Sequence, residues 1–328
     1  MSFIRELEQL KLARLTARSG SSPGIIREQD LHLALLRASL GTTAQHDPSL
    51  SYIHCQLPAG PLRPLLPSLS NPPTTKERSN PHQSLFADGT APTPFDDLLL
   101  GTPLILTYTV AWPLDLFLQP PELSTYAVLF SYLSAIRRTH TRVHGCWAAL
   151  SNAQRARRRW TGLSEGGTAE DATLRAGLLR CGWGIVRAMT WFLDTLLGYV
   201  MTDVVEAEFR RLKTLIANTS NVADAGVSTS QTTGSAHLDF TTLRTIHATY
   251  LERLLAGSLL ANPALTAIVR PILEVCERFV AQVERWGGDV LPALLFEGSL
   301  GSGVHGDVGS LVRERWGIVT DINEVCLD

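Results

Sequence analysis

The chain has 328 residues, 45% of them hydrophobic and 18% charged, with a formal net charge of −2 at neutral pH. That length and balance suit one large or two ordinary domains with a substantial core, and exclude a disordered chain. Arginine carries almost all the positive charge, the lysines being Lys11, Lys76 and Lys213, and the near-neutral total lacks the basic footprint of a nucleic-acid binder.

Residues 1–18 read as a short amphipathic helix with Ile4, Leu7 and Leu10 at helical spacing. Gly20 to Gly24 breaks it, and a second helix is expected over about 28–40, ending at Gly41. Residues 50–57 alternate as a strand does. Residues 58–103 are rich in proline, among them Pro58, Pro61, Pro64, Pro67, Pro72, Pro73, Pro81, Pro92 and Pro94. Such a stretch is predicted to be a mobile loop. Residues 104–110 form a second candidate strand, which can pair with the first as a hairpin because loop-closure entropy grows slowly with length.

After Pro120 and Pro121 the helical signal is strong. Leu123, Tyr126, Phe130, Leu133, Ile136, His140, Val143 and Trp147 step by three or four residues, which places them on one face. A basic break is expected at Arg155–Arg159. The next helix is predicted over about 172–217, with a stripe of Val186, Met189, Leu193, Leu196 and Val200 and an irregularity near Gly182–Gly184 or Gly198. Residues 218–236 read as a flexible loop. A helix over 239–261 follows, capped by Asp239 and carrying Phe240, Leu243, Ile246, Tyr250 and Leu254. Another over 264–286 carries Leu265, Ile268, Ile272, Val275, Phe279, Val283 and Trp286, with a kink or a helix start expected at Pro271. Gly287 and Gly288 end it, and a short helix is expected near 311–316. The fold class is mainly α, a helical bundle with a small β-hairpin.

Cys55, Cys146, Cys181, Cys276 and Cys326 are widely spaced and never form C-x-x-C, so they read as free, buried thiols of a reducing compartment. Arg5, Glu6, Glu8 and Lys11 interrupt the first turns, so neither a secretory signal nor a transit peptide is expected. Residues 98–114 contain Gly101, Pro103 and Pro113, and residues 184–205 contain Arg187, Asp194 and Asp203. A spanning helix needs about 20 apolar residues and rarely tolerates central charges, so no membrane insertion is expected.

No motif for chemistry survives inspection. Gly301–Gly306 fits G-x-G-x-x-G, but no βαβ unit surrounds it and too little chain follows for the acidic partner. His140 and His144 are four apart on a helix, but no Glu adjoins the first and Cys146 lies off their face, so they read as core and rim histidines. The Arg155–Arg159 cluster reads as a solvated helix end. Asn218-Thr219-Ser220 is a glycosylation sequon expected to go unused, and Asp203, Glu206 and Glu208 read as a solvated helix face. No catalytic, cofactor-binding or metal residue is assigned, and no cofactor is expected.

Three segments carry a resemblance. The first runs from Leu106 and Tyr108 through Val110, Trp112, Pro113 and Leu114, then Tyr126, Phe130 and Leu133, then Arg137-Arg138 and Trp147. The second is Tyr199-Val200-Met201-Thr202-Asp203 with Val205, Glu206 and Phe209. The third is Asp239-Phe240 with His247, Tyr250, Leu251, Leu254 and Leu255. Their order and spacing over about 104–286 resemble the carboxy-terminal domain of gamma-tubulin complex components, most of all its component-four branch. The family's larger amino-terminal half has no counterpart in these residues, and the stretch after Gly287 departs from the pattern.

The resemblance implies a division into residues 1–57, the tail of a preceding helical domain plus the first hairpin strand; 58–103, the loop; and 104–328, a helical gamma-tubulin-binding domain. It implies a non-enzymatic scaffold that binds gamma-tubulin beside other gamma-tubulin complex components, at microtubule-organising centres or spindle poles in the cytoplasm. Trp112, Tyr126, Phe130 and Trp147 are expected in the core, and Tyr108, Pro113, Leu114, Tyr199 and Phe209 are structural motif residues. The polar Arg137, Arg138, Asp203 and Glu206 are the expected partner contacts.

Overall fold

The computed structural model describes residues 2–16, 26, 28–57, 95, 97–99, 104–159, 169–224, 240–291 and 308–327. The elements in order are α1 (Ser2–Thr16), α2 (Glu28–Ser39), β1 (Ile53–Gln56), β2 (Ile105–Tyr108), α3 (Pro120–Arg159), α4 (Ala169–Gly198), a π-helical segment (Tyr199–Glu206), α5 (Ala207–Asp224), α6 (Phe240–Gly257), α7 (Pro263–Arg285) and α8 (Val308–Leu327). The chain divides into two compact units, Met1–Ala135 with Arg211–Leu255 and Ile136–Arg210 with Ala256–Asp328. The mainly helical fold with one small hairpin is as expected from the sequence.

In the first unit β1 and β2 pair antiparallel, with Ile53 opposite Tyr108 and Cys55 opposite Leu106. Both strands are shorter than expected, and β1 starts late because Pro48–Tyr52 forms a 3-10 turn capped by Asp47, whose side chain accepts from Ser49 N at 2.9 Å. Ile4, Leu7, Ile26, Leu31, Ala34, Cys55, Leu99 and Leu104 form one buried cluster, with Phe3, Leu10 and Phe130 against it. Phe95 is also buried and meets Tyr132 edge-on at 5.1 Å. Phe95 and Leu99, near the end of the proline-rich stretch, therefore contribute to the core, since they supply apolar surface that the prolines before them lack. The rest of that loop lies outside the described residues.

α3 starts where Pro120 can occupy the first helical position, and Gln119 N donates to Glu122 Oε2 at 3.0 Å as in a capping box. It is 40 residues long, so Arg155–Arg159 continues the helix and the expected break there is wrong. On α6 the buried line is His247, Leu251 and Leu254, and Phe240 is exposed. The predicted stripe was offset because a histidine is scored as polar, whereas this ring packs on Phe117, Tyr126 and Tyr250.

In the second unit the α4 stripe is as expected, with Val186, Met189, Leu193, Leu196 and Val200 all buried. The irregularity comes immediately after Gly198, not at Gly182–Gly184. α5 runs on to Asp224, so residues 218–224 are helical and not loop; residues 225–239, with the expected Asp239 cap, lie outside the described residues. α7 begins at Pro263, where Asn262 Oδ1 accepts from Ala264 N at 3.0 Å, and it passes through the exposed Pro271 instead of starting there. Leu265 and Ile268 are exposed, so the buried stripe starts at Val269. Gly287 and Gly288 (φ +83° and +86°) end α7, with Gly288 N donating back to Val283 O at 2.9 Å.

α8 is a 20-residue helix where only a short one was expected. Its Val312, Val319 and Ile322 are buried, and Trp316 lies against Gly177 of α4. Arg315 stacks over Trp286 at 4.9 Å and donates to Val290 O at 3.0 Å, which ties α8 to the end of α7. Among the described residues no helix is long and apolar enough to cross a membrane. Burial pushes the Cys55 and Cys146 thiols up, to about 11 and about 12, which keeps them protonated and unreactive.

Candidate partner-binding surface

The run from Trp191 to Arg210, in the second unit, is two-faced. Val200 and Val204 point inward, while Trp191 (70% exposed), Tyr199, Met201 and Phe209 face solvent with Asp203 and Glu206. A π-helical segment bonds i to i+5 and is wider than an α-helix, so it re-aims the side chains that follow it. Tyr199 Oη donates to Gly257 O at 3.1 Å, which anchors the start of this segment to the end of α6. A Cβ at Gly257 would lie 2.7 Å from Val204 Cγ1, so only glycine permits this approach. Glu206 pairs with Arg210 one turn on, and Asp203 is exposed beside them.

The first unit carries a second exposed apolar group. Trp112 is 80% exposed, and Leu114 and Leu116 stand out of the turn that leads into α3. In the second unit Trp147 is also exposed and meets Trp183 edge-on at 6.4 Å. The expectation that Trp112 and Trp147 are core residues is therefore wrong: Trp112 stands in the turn before α3, and on α3 the positions that turn inward next to Trp147 are Val143, Cys146 and Leu150. Tyr126 and Phe130 are half-buried, as is Tyr108, which packs on Tyr52 at 5.9 Å.

The basic pair of α3 divides. Arg137 is half-buried. Arg138 is turned inward, 3.7 Å from Glu277 Oε1, with its side chain 14% exposed. Arg142 binds the other oxygen of Glu277 and also Glu284, donating to the latter at 2.6 Å. Burial alone would lower the Arg142 guanidinium, but the charges of Glu277 and Glu284 more than offset it and hold it above its ordinary value. Sequence reasoning missed both acids. Their signal was a spacing of seven residues, which puts them on one face of α7.

His140 and His144 do share a face, and the structure adds Asp194 of α4: His140 Nε2 lies 2.7 Å and His144 Nε2 3.8 Å from Asp194 Oδ1. In the first unit Tyr126 Oη and His247 Nε2 share a hydrogen bond of 2.9 Å. Burial, aided by the charge of Tyr250, pushes the Tyr126 phenol up to about 12, and burial lowers His247 despite the charge of Glu122. Gly301–Gly306 lies outside the described residues.

A mainly helical chain with a two-stranded hairpin and an exposed aromatic–acidic helical face is the class the fold and surface define. The family model for the gamma tubulin complex component C-terminal domain matches residues 66–294, well over half of the chain, and the chain belongs to that family. Gamma-tubulin complex component 4 of Arabidopsis thaliana is 26% identical over 285 residues, which cover 86% of this chain and 33% of that protein. Gamma-tubulin complex component 4 of Mus musculus is 26% identical over 180 residues, 55% of this chain and 22% of that protein. Gamma-tubulin complex component 2 of Arabidopsis thaliana is 24% identical over 179 residues, again 55% of this chain and 21% of that protein. The chain thus spans a third or less of the length of these relatives.

Proposed function

We propose that this chain is a gamma-tubulin-binding scaffold of the gamma-tubulin complex and supports microtubule nucleation at microtubule-organising centres or spindle poles in the cytoplasm. Its partners on this reading are gamma-tubulin and other gamma-tubulin complex components. The protein acts by holding its partner and performs no catalysis; any nucleotide belongs to gamma-tubulin.

The observation that carries the reading is the family match over residues 66–294. The exposed face of Tyr199, Asp203, Glu206 and Phe209, with Trp191 beside them, supports it, because the first four are residues of the motif that resembles that domain and the aromatic ones are partly or largely exposed where a core role would bury them. Large exposed aromatics rimmed by charge are the composition of a protein-interaction patch.

The test is a pull-down of the purified chain with gamma-tubulin, with circular dichroism on the chain alone. Saturable binding by a helical chain is the expected result. A helical chain that binds no gamma-tubulin overturns the proposal and leaves a helical adaptor for another protein as the reading.

A further inference from the structure

The face of α3 that carries His140 and His144 meets Asp194 of α4. One donor atom from each residue lies within 4.8 Å of the others, and the two imidazole centroids are 4.6 Å apart. Donor atoms around a tetrahedral zinc ion, bound at about 2.0–2.2 Å, stand roughly 3.4 Å apart. Small side-chain rotations would therefore bring all three onto one ion. Two imidazoles and a carboxylate form the donor set that borderline divalent ions such as zinc prefer.

An ordinary imidazole–carboxylate hydrogen bond explains only half of the arrangement. His140 is within bonding distance of Asp194 Oδ1, but His144, at 3.8 Å, is outside it, although its ring turns toward the same oxygen. A cation between the three groups accounts for both. Burial is also graded: His140 is 8% exposed, whereas the side chains of His144 and Asp194 are about half exposed. An ion has a path from solvent and a position left for water.

We propose that His140, His144 and Asp194 form a divalent-metal site, best matched to zinc, with two donors from α3 and one from α4. The ion staples these two helices inside the second unit. His140 Nδ1 is buried with no hydrogen-bond partner among the described residues. A bound imidazole without that outer hydrogen bond holds its metal about 10–100-fold more weakly, so micromolar binding is expected and not the tightness of a closed structural site.

The full chain, freed of metal with a chelator, is titrated with Co²⁺ followed by visible absorption and with Zn²⁺ followed by calorimetry. One ion per chain is expected to bind. H144A and D194A each lose it, and D194N, which keeps the shape but not the charge, binds at least tenfold more weakly. H46A, exposed elsewhere, binds as the wild type does. Zinc raises Tm in the wild type and H46A and leaves H144A unchanged. Absence of saturable binding overturns the site, as does binding by H144A and D194A equal to wild type. A cobalt–thiolate band also overturns it, since that would place a cysteine in the donor set.

Discussion

Glu277 holds two arginines of α3 at once. Its side chain and that of Arg142 are each only 17% exposed, and Arg138 approaches its second oxygen. Removing one member of a buried ion pair leaves the other charge unmatched, which costs about 3 kcal/mol. E277A is expected to lower the unfolding free energy by about that much in a urea titration. E284A is expected to cost under about 1 kcal/mol, because the Glu284 side chain is 60% exposed. R138E sets a carboxylate against Glu277 and is expected to destabilise the fold, whereas R137E is expected to leave it intact and to weaken gamma-tubulin binding. Thermal melts of the two variants separate a structural arginine from a contact arginine.

His247 gives a pH dependence of known sign. Burial holds its folded pKa below the ordinary 6.5, so the unfolded chain binds the proton more readily than the folded one. Its contribution to stability is full above pH 6.5 and is lost as the pH falls through the folded value. Urea titrations between pH 8 and pH 5 are expected to show stability falling toward acid, and H247Q is expected to flatten that slope. An unchanged slope in H247Q would place the acid sensitivity elsewhere. The ring was visible in the sequence as a member of the third motif segment but not as a buried one, because nothing local shows that Phe117 and Tyr126 close over it.

Among the elements, the π-helical segment is the one the sequence least disclosed. Gly198 marked an irregularity, and the helix changes its bonding at the next residue. Its Val204 fits against the bare backbone of Gly257, a contact between residues far apart in the chain. Valine is stiff at χ1 and cannot swing aside. G257A is expected to cost about 1–3 kcal/mol through overpacking, and V204A in the same chain is expected to recover part of that loss. A double-mutant cycle by chemical denaturation measures the coupling; strict additivity would show that the two do not touch in solution. By contrast, the end of α7 was legible, since Gly287-Gly288 is local stop chemistry, while its start was left open between residue 264 and Pro271 although Asn262-Pro263 carries a local start signal. The length of α8 was not: its polar residues hide a stripe of Val312, Val319 and Ile322 that only α4 and α7 give a reason to bury.

For the whole molecule, the prediction concerns binding without unfolding. W191A is expected to leave the helical spectrum and Tm unchanged, because Trp191 is 70% exposed, and F209A, where Phe209 is 45% exposed, is expected to keep the helical spectrum with at most a small loss of Tm. Each is expected to weaken gamma-tubulin binding by about tenfold or more, as anchoring aromatics do. D203R with E206R is expected to act mainly on the association rate, more at low salt than at high salt. Stopped-flow association at two ionic strengths distinguishes these outcomes. Unaltered binding in all of these variants would move the contact to another face, of which Trp112 with Leu114 and Leu116 is the next to test.

The sequence alone determined the family, the helical class and the α4 stripe, and it offered both strands of the hairpin. Each of these rests on order, periodicity or alternation, which are carried by near neighbours in the chain; the pairing of the strands across about 50 residues was left to the tertiary structure. Only the tertiary structure decided which aromatics are core and which are surface, which arginine turns inward, and that Asp194 stands beside His140 and His144. Those facts depend on residues tens to more than a hundred positions apart, and a helix of given periodicity can bury its stripe on either side of that stripe's edge. The partner chosen for each face is set by packing and charge between distant elements, which the spacing within one element does not encode.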